Sequence, residues 1–206
     1  MIGTQPAALA MAPSNSLNEE KETYSMPTST TRRVYLITSA VKNSRDHWGL
    51  YFPSTFSQSK GKVIHVVGAP MMGFKHQIKH YWDMSKSRGR YSTHLLGETD
   101  ASNIVDGEIA DPNNITQHET DTLNAADKFE NRASRLPAPG VASAHLWPKG
   151  TPTQITAGWA RDIPDVRRCQ EWTTDFIVDL VTQGLLPETA LVVLEAVTAA
   201  RNVHVN

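Results

Sequence analysis

From Asp165 onward, apolar side chains recur at Val166, Cys169, Trp172, Phe176, Ile177, Leu180 and Val181. That is i, i+3, i+4 spacing over four turns, and an apolar stripe of this kind is stable only when buried against another surface. Gly184 is a natural stop for the helix. Pro187 suits the first turn of a second helix carrying Leu191, Leu194 and Val197. The surface that covers the stripe has to come from upstream, where the patterns are those of strands. Val34 to Thr38, His47 to Phe52, Lys62 to Val67 and Tyr91 to Leu96 are short runs rich in β-branched and aromatic residues, bounded by Pro, Gly or polar clusters. Strands first and helices last define an α+β chain. The expected architecture is a small antiparallel sheet packed against a long amphipathic helix that starts near the cysteine.

The intervening segments are less regular. A Ser/Gln/Lys loop with a turn at Lys60-Gly61 separates the second and third strands, too long for a two-residue hairpin turn. Gly73 to Trp82 is ambiguous, because Phe74, Ile78, Tyr81 and Trp82 fit helical spacing over a short stretch. Residues 98–120 are polar and read as loop, and Asp121 to Ala133 as a short helix. Residues 134–164 hold five prolines, which excludes long regular elements. Residues 1–32 are rich in Ser, Thr, Pro, Ala and Asn without periodicity and bury too little apolar surface to offset the entropy of ordering. The expected organisation is a disordered tail, 1–32, and one domain, 33–206.

Composition narrows the function. A net charge of −1 provides no field for nucleic acid or acidic lipid, so no nucleic-acid partner is expected. No apolar run approaches the ~20 residues of a membrane span, and the N-terminus lacks the design of a signal peptide. A single cysteine excludes an intramolecular disulfide. These features point to a cytoplasmic protein with no integral membrane segment.

The lone cysteine, Cys169, falls where the helix opens. A helix N-terminus offers unpaired N–H groups and partial positive charge, both of which stabilise a thiolate. Arg167 and Arg168 act in the same sense, Asp165 and Glu171 against it. The same position fits a small buried hydrophobe, a common fate of free cysteine. His47 and His65 lie on two of the expected strands. A thiol nucleophile needs a base near neutral pKa and a second group to orient that base. His65, among Val63, Ile64, Val66 and Val67, needs a polar partner in any case. The alternative is a core histidine bonded to backbone.

His47-Trp48-Gly49-Leu50-Tyr51, then Val63-Ile64-His65, then Cys169 opening a long helix resembles the permuted papain-like superfamily, whose members include lecithin retinol acyltransferase-like proteins. The resemblance implies His47 as base, His65 as its orienter and Cys169 as the nucleophile that forms a thioester. His47-Trp48, Ile64 to Gly68, Gly73-Phe74 and Cys169 to Trp172 are also similar to segments of uncharacterised fungal proteins, a likeness that covers most of residues 33–186. Three departures stand out: a longer spacing between the histidines, Arg168 in place of the usual Asn, and no C-terminal membrane helix.

The expectation is a thiol-dependent hydrolase or acyltransferase acting on an ester, thioester or amide. Its substrate would be a small molecule or an acyl or peptide compound, with no cofactor and no metal. The alternative is a non-catalytic binding or accessory protein on the same fold. Weaker features are His76 and His80, four apart as in a two-histidine metal site, and the cations Lys75, Lys79, Lys86, Arg88 and Arg90, which read as a solvated face. Trp82, Trp147 and Trp159 can line an apolar pocket or simply pack.

Overall fold

The computed structural model of the chain describes residues 30–41, 45–55, 57–87, 91–107, 117–121, 123, 127–142 and 166–203. Among the described residues, six strands run β1 (Thr31–Ser39), β2 (His47–Ser54), β3 (Ser57–Ala69), β4 (Gly73–Asp83), β5 (Tyr91–Asp100) and β6 (His118–Thr120), and three α-helices follow them, α1 (Lys128–Arg135), α2 (Cys169–Thr182) and α3 (Thr189–Val203). The strands form one sheet in the order β5-β1-β2-β3-β4-β6, and every neighbouring pair is antiparallel. The chain is therefore α+β, as its order of elements implies.

Several boundaries differ from the sequence reading. β1 begins at Thr31, inside the segment expected to be tail. β3 begins at Ser57, and because Ser54 pairs with Ser57, two residues separate β2 from β3 where a longer loop was expected. Its polar start is held by pairing, with Lys60 opposite Asp83. Gly73–Asp83 is a strand despite its helical spacing. Tyr81 sits at φ 52°, in the left-handed region that a side-chain-bearing residue seldom enters. There the β3–β4 register shifts between Gly61 and Val63, so this is a β-bulge. The expected loop 98–120 contains the end of β5, a 3-10 turn at Ala101–Asn103 and β6. The short helix is present but displaced, since Asp127 caps it by accepting from the Glu130 N–H at 3.0 Å.

Strand alternation sorts the side chains onto two faces. Val34, Leu36, Trp48, Leu50, Phe52, Ile64 and Ile78 meet Trp172, Phe176, Ile177 and Leu180 of α2, together with Phe129 and Ala133 of α1 and Ala190 and Leu194 of α3. Ile37, Tyr51, Val63 and Trp82 form a smaller cluster, backed by Tyr35, Met84 and Tyr91. α2 ends as expected at Gly184, whose φ of 68° lets the Leu185 N–H reach back to the Leu180 carbonyl at 2.9 Å. Arg132 of α1 donates from Nε to Asp179 of α2 at 2.7 Å. Beneath the sheet, Lys62 is 2% exposed and binds Asp127 at 2.5 Å and Glu130 at 2.6 Å. Two carboxylates around one ammonium in a desolvated site hold each other in place.

Candidate active site

His47 opens β2, and His65 lies in the middle of β3. They share the sheet face away from Trp48, Leu50 and Ile64. A Cβ on Gly49 would lie 2.9 Å from the His65 Cβ, so the glycine makes room for the imidazole. His47 Nε2 and His65 Nδ1 are 2.7 Å apart, with the rings edge to face at 68°. His65 stands opposite Gln77 of β4, and its Nε2 is 3.0 Å from Gln77 Oε1. The Gln77 amide nitrogen donates to Glu119 of β6 at 3.0 Å. The four side chains run across four adjacent strands, one from each.

Proton positions follow from the far end. The Glu119 carboxylate only accepts, so the Gln77 NH2 faces it and the Gln77 oxygen faces His65. His65 Nε2 must then carry its proton and donate, which leaves Nδ1 as an acceptor. His47 donates to it from Nε2–H, and the lone pair of His47 falls on Nδ1. The file thus fixes the tautomer of His47, with Nδ1 as its acceptor.

Electrostatics keep both rings neutral. Burial, assisted by the Lys79 ammonium, lowers His47 to about 4. Burial, then the neighbouring His47 and Lys79, lowers His65 to about 3 despite the bond to Gln77. Lys79 pairs with the other oxygen of Glu119 at 3.3 Å.

Cys169 is the first residue of α2 and is 7% exposed. The helix begins here, as expected, and the Glu171 carboxylate accepts the Arg168 N–H at 2.8 Å. An arginine at the cap position has no acceptor with which to return the bond. The thiol hydrogen-bonds to the Asp46 carbonyl at 3.9 Å, and the Gln170 amide donates to the same oxygen at 2.7 Å. Burial pushes the thiol above its ordinary value. Glu171 adds to that, while the Trp48 N–H and Arg45 pull against it. Arg45 in turn pairs with Glu171.

Cys169, His47 and His65 line one cavity of about 550 Å³, a size typical of small-molecule sites. Its other walls include Arg45, Lys79 and the apolar Ile37, Val63, Val67, Phe74 and Trp82. The three residues chosen from sequence are therefore gathered at one cavity, the two histidines in direct contact. Gln77 and Glu119 were missed. Their signal was alternation along β4, obscured by the helical spacing, and a three-residue polar strand with no apolar pattern.

The weaker candidates disperse. His76 Nε2 meets the Leu136 carbonyl at 3.0 Å and its ring lies against Trp172, whereas His80 stacks on His118 at 4.6 Å. Among the described residues no three His, Cys, Asp or Glu side chains converge as a metal site. Lys75 and Lys86 pair with Asp121 and Asp83. Arg88, Arg90, Trp147, Trp159 and residues 1–29 and 143–165 lie outside the described residues.

Fold and site together define an α+β protein with a histidine pair and a helix-opening thiol on one cavity. By sequence, the chain belongs to a family of unknown function (DUF6540), whose model matches residues 34–187. No match was found among curated proteins or among solved structures. Among the described residues no helix is long and apolar enough to cross a membrane.

Proposed function

We propose that this protein is a thiol-dependent hydrolase or acyltransferase with a permuted papain-like arrangement. The observation that carries the reading is the hydrogen-bonded file His47–His65–Gln77–Glu119, which leaves a neutral, oriented base on the cavity that Cys169 also lines. Cys169 Sγ attacks the carbonyl carbon of an ester, thioester or amide, and its proton passes to His47 Nδ1. The first N–H groups of α2, which have no partner within the helix, are available to the oxyanion. The carbonyl reforms, the leaving group departs with the proton from His47, and a thioester remains on Cys169. Water, or an acceptor hydroxyl or amine, then loses a proton to His47 and attacks the thioester. The thiolate leaves and recovers that proton. His65 orients His47 throughout, and Gln77 and Glu119 act through His65 as positioning residues.

Because the base is neutral and the thiol is held above its ordinary value, the resting pair is thiol and imidazole. The proton therefore moves as the substrate is attacked. The test is incubation with a panel of 4-nitrophenyl esters and peptide amides, followed by intact-mass measurement. An acyl adduct confined to Cys169, lost in Cys169→Ala and strongly slowed in His47→Ala, supports the reading. Nitrophenol release at equal rates from wild type and Cys169→Ala would reject it.

One observation favours the second reading, a binding or accessory protein: the thiol bonds to the Asp46 carbonyl and not to an imidazole. That reading expects Cys169→Ala to bind and act in cells as wild type does.

A further inference from the structure

The cavity wall has a chemical bias beyond its thiol and histidines. Apolar side chains from β1, β3 and β4 make up much of it: Ile37, Val63, Val67, Phe74 and Trp82. Its charged members are Arg45, Lys79, Arg168 and a single acid, Asp46. The cations thus line the cavity, while the carboxylates that pair with Arg45 and Lys79, those of Glu171 and Glu119, do not. A concave, low-dielectric wall in which one sign predominates focuses its field on whatever enters.

Arg45 carries the more specific signal. Its side chain is 12% exposed, and its terminal nitrogen is occupied by Glu171. Its Nε is buried with no hydrogen-bond partner among the described residues. A buried guanidinium N–H left without an acceptor is costly, and a small shift of the Arg45 side chain toward an anionic oxygen in the cavity would satisfy it with a charge-assisted bond. The apolar wall alongside accepts hydrocarbon or aromatic surface.

We propose that the cavity takes an acyl compound with an apolar body and one anionic oxygen group bound by Arg45, with Lys79 adding long-range attraction. This rests on the reading of Cys169 as the attacking atom, which sets the reacting carbonyl at the thiol. The preferred substrate is then the monoacyl derivative of a dicarboxylic acid or a similar anion-bearing acid, rather than a neutral fatty acyl chain.

The test uses binding, so it does not depend on turnover. Hexanamide and the monoamide of adipic acid match in length and differ in the terminal carboxylate. Each is titrated against alkylation of Cys169 by iodoacetamide at pH 8 and low salt, followed by intact mass. The adipic monoamide should reach half-protection at a concentration about tenfold lower. The gap should narrow as salt is raised and collapse in Arg45→Gln. Arg45→Lys keeps the charge but loses the fork, so it should keep part of the gap. Circular dichroism of both variants separates loss of binding from loss of fold. Equal protection by the two amides, protection by neither, or a gap undiminished in folded Arg45→Gln overturns the proposal. If mono-4-nitrophenyl adipate and 4-nitrophenyl hexanoate acylate Cys169 equally well, the catalytic reading stands and this inference falls. If the anionic amide protects but no ester acylates Cys169, the inference stands and the catalytic reading falls.

Discussion

The histidine pair should make the fold acid-labile, and the size of the effect follows from its geometry. His47 is held at about 4 and His65 at about 3, burial being the largest cause for both, whereas an unfolded histidine titrates near 6.5. Below pH 6.5 the unfolded chain therefore binds more protons than the folded one. Stability is fully present above that pH and is lost as pH falls toward the folded values. Between pH 7 and pH 5 each ring costs up to about 2 kcal/mol by this linkage. Because the two rings share one hydrogen bond, the pair together costs about 2–4 kcal/mol. That is a large fraction of the roughly 5–15 kcal/mol that holds a typical domain together. The assay is urea unfolding followed by tryptophan fluorescence at pH 7 and pH 5, on wild type and on His47→Asn/His65→Asn. Asparagines keep polar contacts across the pair but do not titrate, so the difference between the two proteins isolates the imidazoles from the carboxylates. If wild type and the double variant lose the same stability between the two pH values, the pair is not held neutral by burial and the reasoning fails.

Cys169 sits above the ordinary thiol value, so its alkylation by iodoacetamide should be slower than that of free cysteine at pH 7 and climb only in the alkaline range. A reactive plateau extending below pH 7 would instead reveal a preformed thiolate. Gln77→Leu removes the oxygen that fixes the His65 tautomer. It should lower kcat by roughly ten- to a hundred-fold, part of what a positioned base supplies, with KM little changed and most of the rate restored in Gln77→Asn; an unaltered kcat removes Gln77 from the mechanism. Gly49→Ala places a Cβ 2.9 Å from that of His65 and should cost about 1–3 kcal/mol in a chemical melt through overpacking. Lys62→Ala removes the buried ammonium that Asp127 and Glu130 share and should cost about 3–5 kcal/mol, whereas Lys62/Asp127/Glu130 replaced together by apolar residues should cost much less.

How much could be read from the sequence depended on whether a residue's neighbours were near in the chain. β1, β2 and β5 announce themselves because β-formers cluster between clear breakers, and α2 does so through its stripe and Gly184. β4 does not, for a definite reason. At the Tyr81 bulge the alternation slips, so His80, Tyr81 and Trp82 are all buried in succession. Ile78, Tyr81 and Trp82 then fall at helical spacing by accident of the bulge. The start of β3 and the whole of β6 are polar and exist through pairing with Ser54, Asp83 and β4, which no local pattern encodes. Val166 continues the apolar stripe ahead of α2, but the helix opens at Cys169, as expected, where the Glu171 carboxylate accepts the Arg168 N–H.

The same distinction explains the site. Cys169, His47 and His65 were legible because each is chemically unusual where it stands: the only thiol, at a helix start, and imidazoles among apolar strand residues. Gln77 and Glu119 are ordinary polar residues on strands, and their significance lies wholly in register. β3 and β4 must pair so that His65 faces Gln77, and β6 must pair so that Glu119 lies within reach. A slip of one residue would put either on the opposite face. The Tyr81 bulge offsets the register beyond it: Val63 faces Lys79, while Gly61 faces Trp82. The segment that defeats the periodicity argument is therefore the one in which pairing, and not sequence pattern, sets the proton position on His47. In this chain the proposed nucleophile and base are properties of residues, and the tautomer of the proposed base is a property of the sheet.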